Sequence, residues 1–234
     1  MAIPGDLVIT DDVPTAFAQH MIESFRTRAL DTFSFALSGG ATARECYESL
    51  AETAGSQVDW WKVDIYWGDE RCVPHDHVDS NYRLARESLL DRVGAANATH
   101  LMRCADGPDP YQLRLGDLGR IDLIHLGLGP DGHTASLFPD SSALEADPGR
   151  LVAMNQDPSG RNPYQRMTLT FAGLERARLA IVTVSGAGKA NALAAVAASD
   201  DLPAARIGSE RVVWLVDEAA AANLPDDVRA SAIS

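Results

Sequence analysis

Apolar side chains recur at helical spacing through residues 13–30, at Val13, Phe17, Met21, Ile22 and Phe25. That period predicts a helix with one buried face. FSFAL at 33–37 is a short apolar run and predicts a buried strand. ATARECYESLAET returns to helical spacing, with Thr42 near its start as a cap. VDIYW at 63–67 predicts a strand, and SNYRLARESLLDRV a helix that Ser80 or Asn81 can cap. IDLIHLGL, LVAMN (151–155), LAIVTV (179–184) and RVVWLV (211–216) predict further strands. Helical segments, KANALAAVAAS and DEAAAANL, follow the last two. Strands alternating with helices predict an α/β fold. The simplest account is a single domain over 1–234, with a mostly parallel sheet flanked by helices. CADGPDPYQLRLGDLGR, at 104–120, shows no legible period.

In an open parallel sheet, ligands bind beyond the carboxyl ends of the strands. SGGAT follows FSFAL, GDER follows VDIYW, GLGPDGHT follows IDLIHL, and SGAGK follows LAIVTV. One glycine-rich polar loop is commonplace. Four of them at strand ends predict a shared site along one edge of the sheet.

Composition narrows the function classes. Apolar residues make up 46% of the chain and charged residues 23%, ordinary for a globular protein. The net charge is −13 without a basic cluster, which argues against a nucleic-acid-binding face. An anionic small substrate would need a local cationic pocket. No run of about eighteen apolar residues occurs, so no membrane span is expected. The start, MAIPGDLVITDD, lacks the basic and apolar blocks of a signal peptide, so cytoplasmic residence is expected. Cys46, Cys72 and Cys104 are odd in number and widely spaced, and read as reduced thiols rather than a disulfide frame or zinc site. His75, Asp76, His77 and Asp79 form a polar loop without an obvious further ligand, so no metal is expected.

Each loop has a bland reading and a chemical one. In SGGAT, glycines and a helix start suit a phosphate, but equally make a plain turn. In GDER, Asp69 and Glu70 can handle protons and Arg71 can fork onto an anion, or all three can be ion-paired. GLGPDGH contains G-x-G-x-x-G at Gly127, Gly129 and Gly132, but Pro130 inside it and Pro139 beyond it oppose the long helix of a dinucleotide site. It reads better as a loop whose three glycines allow a sharp bend and whose Asp131 and His133 are presented to a cleft. SGAGKANAL fails as a P-loop, because Thr183 and Ala190 stand at required positions. Lys189 at a helix start opposes the helix dipole, which points to a nearby anion or to simple exposure. RMTLT says nothing alone.

Together, LSGGAT, WGDERCVPHDHVDSNY, IDLIHLGLGPDGHTASLFP, RMTLT and SGAGKANAL span most of the chain. In content and order they resemble the family of glucosamine-6-phosphate isomerases and 6-phosphogluconolactonases. The resemblance implies an α/β sandwich with a modified Rossmann-like sheet. It also implies hydrolysis of 6-phospho-D-glucono-1,5-lactone to 6-phosphogluconate, in the oxidative pentose phosphate pathway. No metal and no organic cofactor are implied. The expected partner is a small phosphorylated sugar lactone, with neither nucleic acid nor membrane, in a monomer or small homo-oligomer. By the same resemblance His133 is the base, and Gly39, Gly40, Arg71, Arg166 and Lys189 surround the phosphorylated substrate. Thr42 and Asp69, in the same motifs, are grouped with the substrate, and Asp131 is placed to orient His133. Family members with deaminase chemistry end this loop in an asparagine–glutamate pair. Leu137 and Phe138 stand there in this chain, which favours the lactonase over the deaminase-isomerase. A non-catalytic sugar-phosphate sensor is a third reading. Segment 104–120 looks shortened where the family has a clearer helix.

Overall fold

The continuous apolar runs line up side by side, in a computed structural model that describes residues 2–233. In chain order the strands are β1 (Asp6–Ile9), β2 (Phe33–Leu37), β3 (Val63–Trp67), β4 (Asp69–Arg71), β5 (Ala98–Thr99), β6 (Ile121–Gly127), β7 (Val152–Asn155), β8 (Arg166–Leu169), β9 (Ala177–Val184) and β10 (Arg211–Val216). The helices used below are α1 (Val13–Arg26), α2 (Ala41–Thr53), α3 (Asn81–Ala85), α4 (Asp109–Leu118), α5 (Phe171–Leu174) and α6 (Ala190–Ala198). Seven strands form one parallel sheet in the order β1-β10-β9-β6-β2-β3-β5. All five residues of β2 are buried, as expected where helices cover both faces of a parallel sheet. A second, antiparallel sheet has the order β4-β8-β7.

The α/β expectation holds, with local differences. LVAMN is a strand, but in the small antiparallel sheet. The helix expected from SNYRLARESLLDRV starts where Ser80 caps it, its hydroxyl accepting from the Arg83 N–H. After Ala85 it loosens into a single π turn, Arg86–Leu90. Segment 104–120 contains α4. Prolines 108 and 110 sit at its start, where a missing N–H costs nothing, and they mask its period. Gly40, at φ +104°, is the N-cap of α2, so Thr42 does not cap it.

The cysteine reading is corrected. Cys72 and Cys104 form a disulfide, and Cys46 alone is free and buried. The two half-cystines are 32 residues apart in sequence, but the fold brings the end of β4 beside the segment after β5, with Cα atoms 5.5 Å apart.

One histidine lies deep in the core. His125 on β6 is fully buried, with ring nitrogens 3.0 Å from Tyr47 Oη and 2.9 Å from Thr183 Oγ1. The Phe17 ring centroid is 4.2 Å from its own. Burial lowers its pKa to about 3, so the neutral imidazole is the packed form.

Candidate active site

Strands β9, β6, β2 and β3 are adjacent, so the loops at their carboxyl ends meet at one edge of the sheet. The small sheet faces them through β4 and β8. Between lies a cavity of about 180 Å³ lined by Gly39, Gly40, Asp69, Arg71, His133, Arg166 and Lys189, among others. The structure thus gathers seven of the nine expected site residues around one space.

Asp131 stands behind His133 rather than on the cavity wall. Its Oδ1 is 2.6 Å from His133 Nδ1 and also accepts the His133 backbone N–H at 3.2 Å. Burial pushes the Asp131 carboxyl upward, but hydrogen bonds and charge from His133 outweigh it and hold the group below its usual range. His133 Nε2 has no hydrogen-bond partner among the described residues, and the ring lines the cavity. The ring is supported edgewise by Phe138, 4.8 Å away between centroids. Leu137 and Phe138 are buried beneath.

The glycines of this loop are not equivalent. A Cβ on Gly129 would lie 2.0 Å from His133 Nδ1, so only glycine lets the imidazole fold back over the chain. At Gly127 a Cβ would meet nothing within 4 Å, so its packing does not demand glycine, contrary to the expectation for all three.

The cationic side is unusual. Arg166 and Arg71 are directly opposite in the β8–β4 ladder. Arg166 is 5% exposed and makes no ion pair among the described residues, and its Nε has no partner. Arg71 donates from Nη1 to the Asp79 carbonyl at 2.7 Å, and its Nε is likewise unpartnered. Lys189 donates to the Leu128 carbonyl at 2.6 Å. Burial lowers the pKa of Arg166, with Arg71 adding to the effect against Asp69, and burial also lowers that of Lys189. A buried guanidinium and a half-buried one, facing each other with open donors, are arranged for an anion.

The carboxylates of GDER divide. Asp69 is buried, accepting from the Ser136 hydroxyl at 2.6 Å and from Asn81 Nδ2 at 3.2 Å. Glu70 turns away from the cavity and accepts from the N–H groups of Arg71, Asn81 and Tyr82 and from the Ser80 hydroxyl. Burial pushes its pKa up, against these donors. It anchors the start of α3. Thr42 is not in the His133 cavity. The first turn of α2 carries it into an adjoining space of about 170 Å³ that Lys189 also borders.

Sequence reasoning missed Asn81, Ser136 and Asn162, all on the cavity wall. The SNY and TASLFP motifs contained the first two without indicating a place at the site. Asn162 lies in a loop tied by Asp157, which accepts from Ser159 and Asn162. Among the described residues no three His, Cys, Asp or Glu side chains gather as a metal site.

The sequence profile described as "Glucosamine-6-phosphate isomerases/6-phosphogluconolactonase" matches residues 9–214. A 6-phosphogluconolactonase of Synechocystis sp. is 37% identical over 210 residues, 82% of this chain and 84% of that one. One of Mycobacterium leprae is 36% identical over 221 residues, covering 86% and 87%. The crystal structure of 6-phosphogluconolactonase from Leishmania guyanensis superimposes with a TM-score of 0.79 at 25% identity, covering 92% of this chain and 97% of that one.

Proposed function

The chain belongs to the glucosamine-6-phosphate isomerase/6-phosphogluconolactonase family, and from that premise we propose that it hydrolyses 6-phospho-D-glucono-1,5-lactone to 6-phosphogluconate. The observation that carries this reading is the juxtaposition of the unpaired Arg71–Arg166 couple with the Asp131–His133 pair across one small cavity.

In this reading the C6 phosphate lies against Arg71, Arg166 and Lys189, beside Gly39 and Gly40. Its binding energy fixes the lactone carbonyl near His133. His133 Nε2 takes a proton from water as the water oxygen bonds to C1. Asp131 holds Nδ1–H and supports the imidazolium that forms. The tetrahedral intermediate collapses, the C1–O bond to the ring oxygen breaks, and His133 returns the proton to that oxygen. General-base assistance of this kind contributes about 10²–10⁴ in rate. No side-chain nucleophile is needed. The Ser136 hydroxyl is committed to Asp69, and Cys46 is buried with its thiol pushed up to about 12 by burial.

The deaminase reading needs extra proton carriers after the DGH turn. Leu137 and Phe138 occupy that place, 0% and 1% exposed. The proposed reaction requires no partner beyond its substrate, and the proposal extends to cytoplasmic residence. No described helix is long and apolar enough to cross a membrane.

The test is an assay with freshly generated 6-phosphogluconolactone, read against its spontaneous hydrolysis, with glucosamine 6-phosphate as control. Accelerated lactone hydrolysis is expected. Ammonia release from the amino sugar without lactone hydrolysis would overturn the proposal.

A further inference from the structure

We propose that the Cys72–Cys104 bridge is a thiol–disulfide modification site that takes a dithiol reductant and sets how tightly the cleft holds its anion. This rests on the reading of Arg71 and Arg166 as the anion-binding couple. Cys72 directly follows Arg71, and its N–H donates to the Gln165 carbonyl at 2.9 Å, one residue before Arg166. The bridge therefore ends on the ladder that carries both arginines. Its other end, Cys104, opens the single 3₁₀ turn that precedes α4.

The bridge is reachable. Both half-cystines are only partly buried, and with Val73, His75 and Arg103 they line an open groove of about 470 Å³. Cys46, in the core, cannot compete for exchange.

The coupling runs through segment 72–80. Its far end is pinned by Glu70, which accepts from the Ser80 hydroxyl and the Asn81 N–H. Its near end is pinned by the bridge. Between them Asp79 presents the carbonyl that accepts from Arg71 Nη1. With the bridge opened, the near end keeps the Cys72 backbone hydrogen bond to Gln165 and Asp79 stays held at its carboxylate by the Tyr164 hydroxyl, but the covalent restraint on the segment is gone, and Arg71 loses preorganisation. His133 and Asp131 stand on the loop after β6, outside this segment, so the chemical step is spared.

The exchange balances. A thiolate of the dithiol attacks one bridge sulfur, and the other sulfur leaves as a thiolate and takes a proton. The second thiol of the reductant then attacks the mixed disulfide. Two electrons pass to the protein, Cys72 and Cys104 end as thiols, and the reductant leaves as its own disulfide.

The experiment compares oxidised protein, dithiothreitol-reduced protein and the Cys72→Ser/Cys104→Ser variant. Calorimetric titration with inorganic phosphate is the first readout, and native-state maleimide labelling the second. Reduction should expose two thiols and weaken phosphate binding about three- to tenfold, by loss of preorganisation. The double variant should match the reduced protein with or without dithiothreitol. In lactone assays KM should rise by the same factor while kcat changes less than about twofold, because only the binding contact is loosened. Equal phosphate affinity in the oxidised and reduced forms overturns the inference, as does labelling of both thiols before reduction. Phosphate binding is read without turnover. A redox-dependent affinity in a protein without lactonase activity would therefore sink the proposed reaction and keep the switch. Phosphate bound by neither form would end both the arginine reading and the switch.

Discussion

His133 and Arg166 meet opposite demands. His133 is held by a partner and leaves one ring nitrogen open, whereas Arg166 is buried and makes no ion pair among the described residues. Replacing His133 by glutamine should leave the melting temperature near wild type and remove most of the lactonase rate, about 10²-fold or more. A folded variant with near wild-type turnover would refute the assignment. For Arg166→Met two effects of opposite sign are expected. Losing a charge-assisted contact of about 1.5–3 kcal/mol should cut kcat/KM about tenfold or more. Removing a buried, uncompensated charge should raise the melting temperature of the ligand-free protein. Paired kinetics and calorimetry on this one variant check both, and a drop in stability would show that Arg166 supports the fold instead. At this scale, sequence pattern and resemblance brought together seven of the expected residues. Thr42 lines the adjoining space rather than the His133 cavity, and a motif does not reveal which way the first helical turn points. Sequence pattern gave Glu70 a proton-handling option, whereas it turns away from the cavity and accepts from four donors.

Elements that run deep in the sheet were the legible ones, since a strand buried on both faces is written as a continuous apolar run. The edge strands β1 and β5 and the strand β4 are two to four residues long and carry no such signal. The small antiparallel sheet was illegible as a sheet. RMTL is marked by buried residues, but its pairing with Asp69–Arg71 joins segments about a hundred residues apart, and only the three-dimensional fold establishes it. The disulfide was hidden for the same reason. Within β6, His125 is a polar residue that the apolar pattern did not single out. Its neutral form is the packed one, and in an unfolded chain a histidine titrates near 6.5. Between pH 6.5 and about 3, the unfolded state therefore binds more protons than the folded state. Folding stability should be unaffected by this group above that window and should fall as pH drops through it, by about 1.4 kcal/mol per pH unit. Urea midpoints measured from pH 7 to pH 5 check this. The slope should be shallower in His125→Gln, and equal slopes would show that the histidine is not the cause.

At the scale of the whole molecule, a protein with a net charge of −13 concentrates three cationic side chains at one cleft between two sheets. The surface repels anions in general, while the cleft selects them locally, since charges beyond about 10 Å are screened at moderate salt. The bridge adds a covalent tie across 32 residues. A loop of that length removes about 3–4 kcal/mol of unfolded-state entropy on a chain-entropy estimate. Reduced protein should melt several degrees lower than oxidised protein, and scanning calorimetry with and without dithiothreitol reads the difference. Identical melting would mean that the tie contributes nothing to the resting fold.

The arginines that face each other across β4 and β8 have a consequence for how long the molecule lasts. Without an anion, their mutual repulsion works against the joint between these strands, and with one bound it becomes attraction through a common counter-charge. The ligand is then a removable keystone of the second sheet. By mass action, an anion present at a hundred times its dissociation constant adds about 2.7 kcal/mol to the folded state. Protease resistance and melting temperature should therefore climb with inorganic phosphate in the medium. Sodium chloride at equal ionic strength should not reproduce the climb, and if it did, the effect would belong to general screening. A cell rich in phosphorylated sugars would preserve this protein, and one depleted of them would clear it faster.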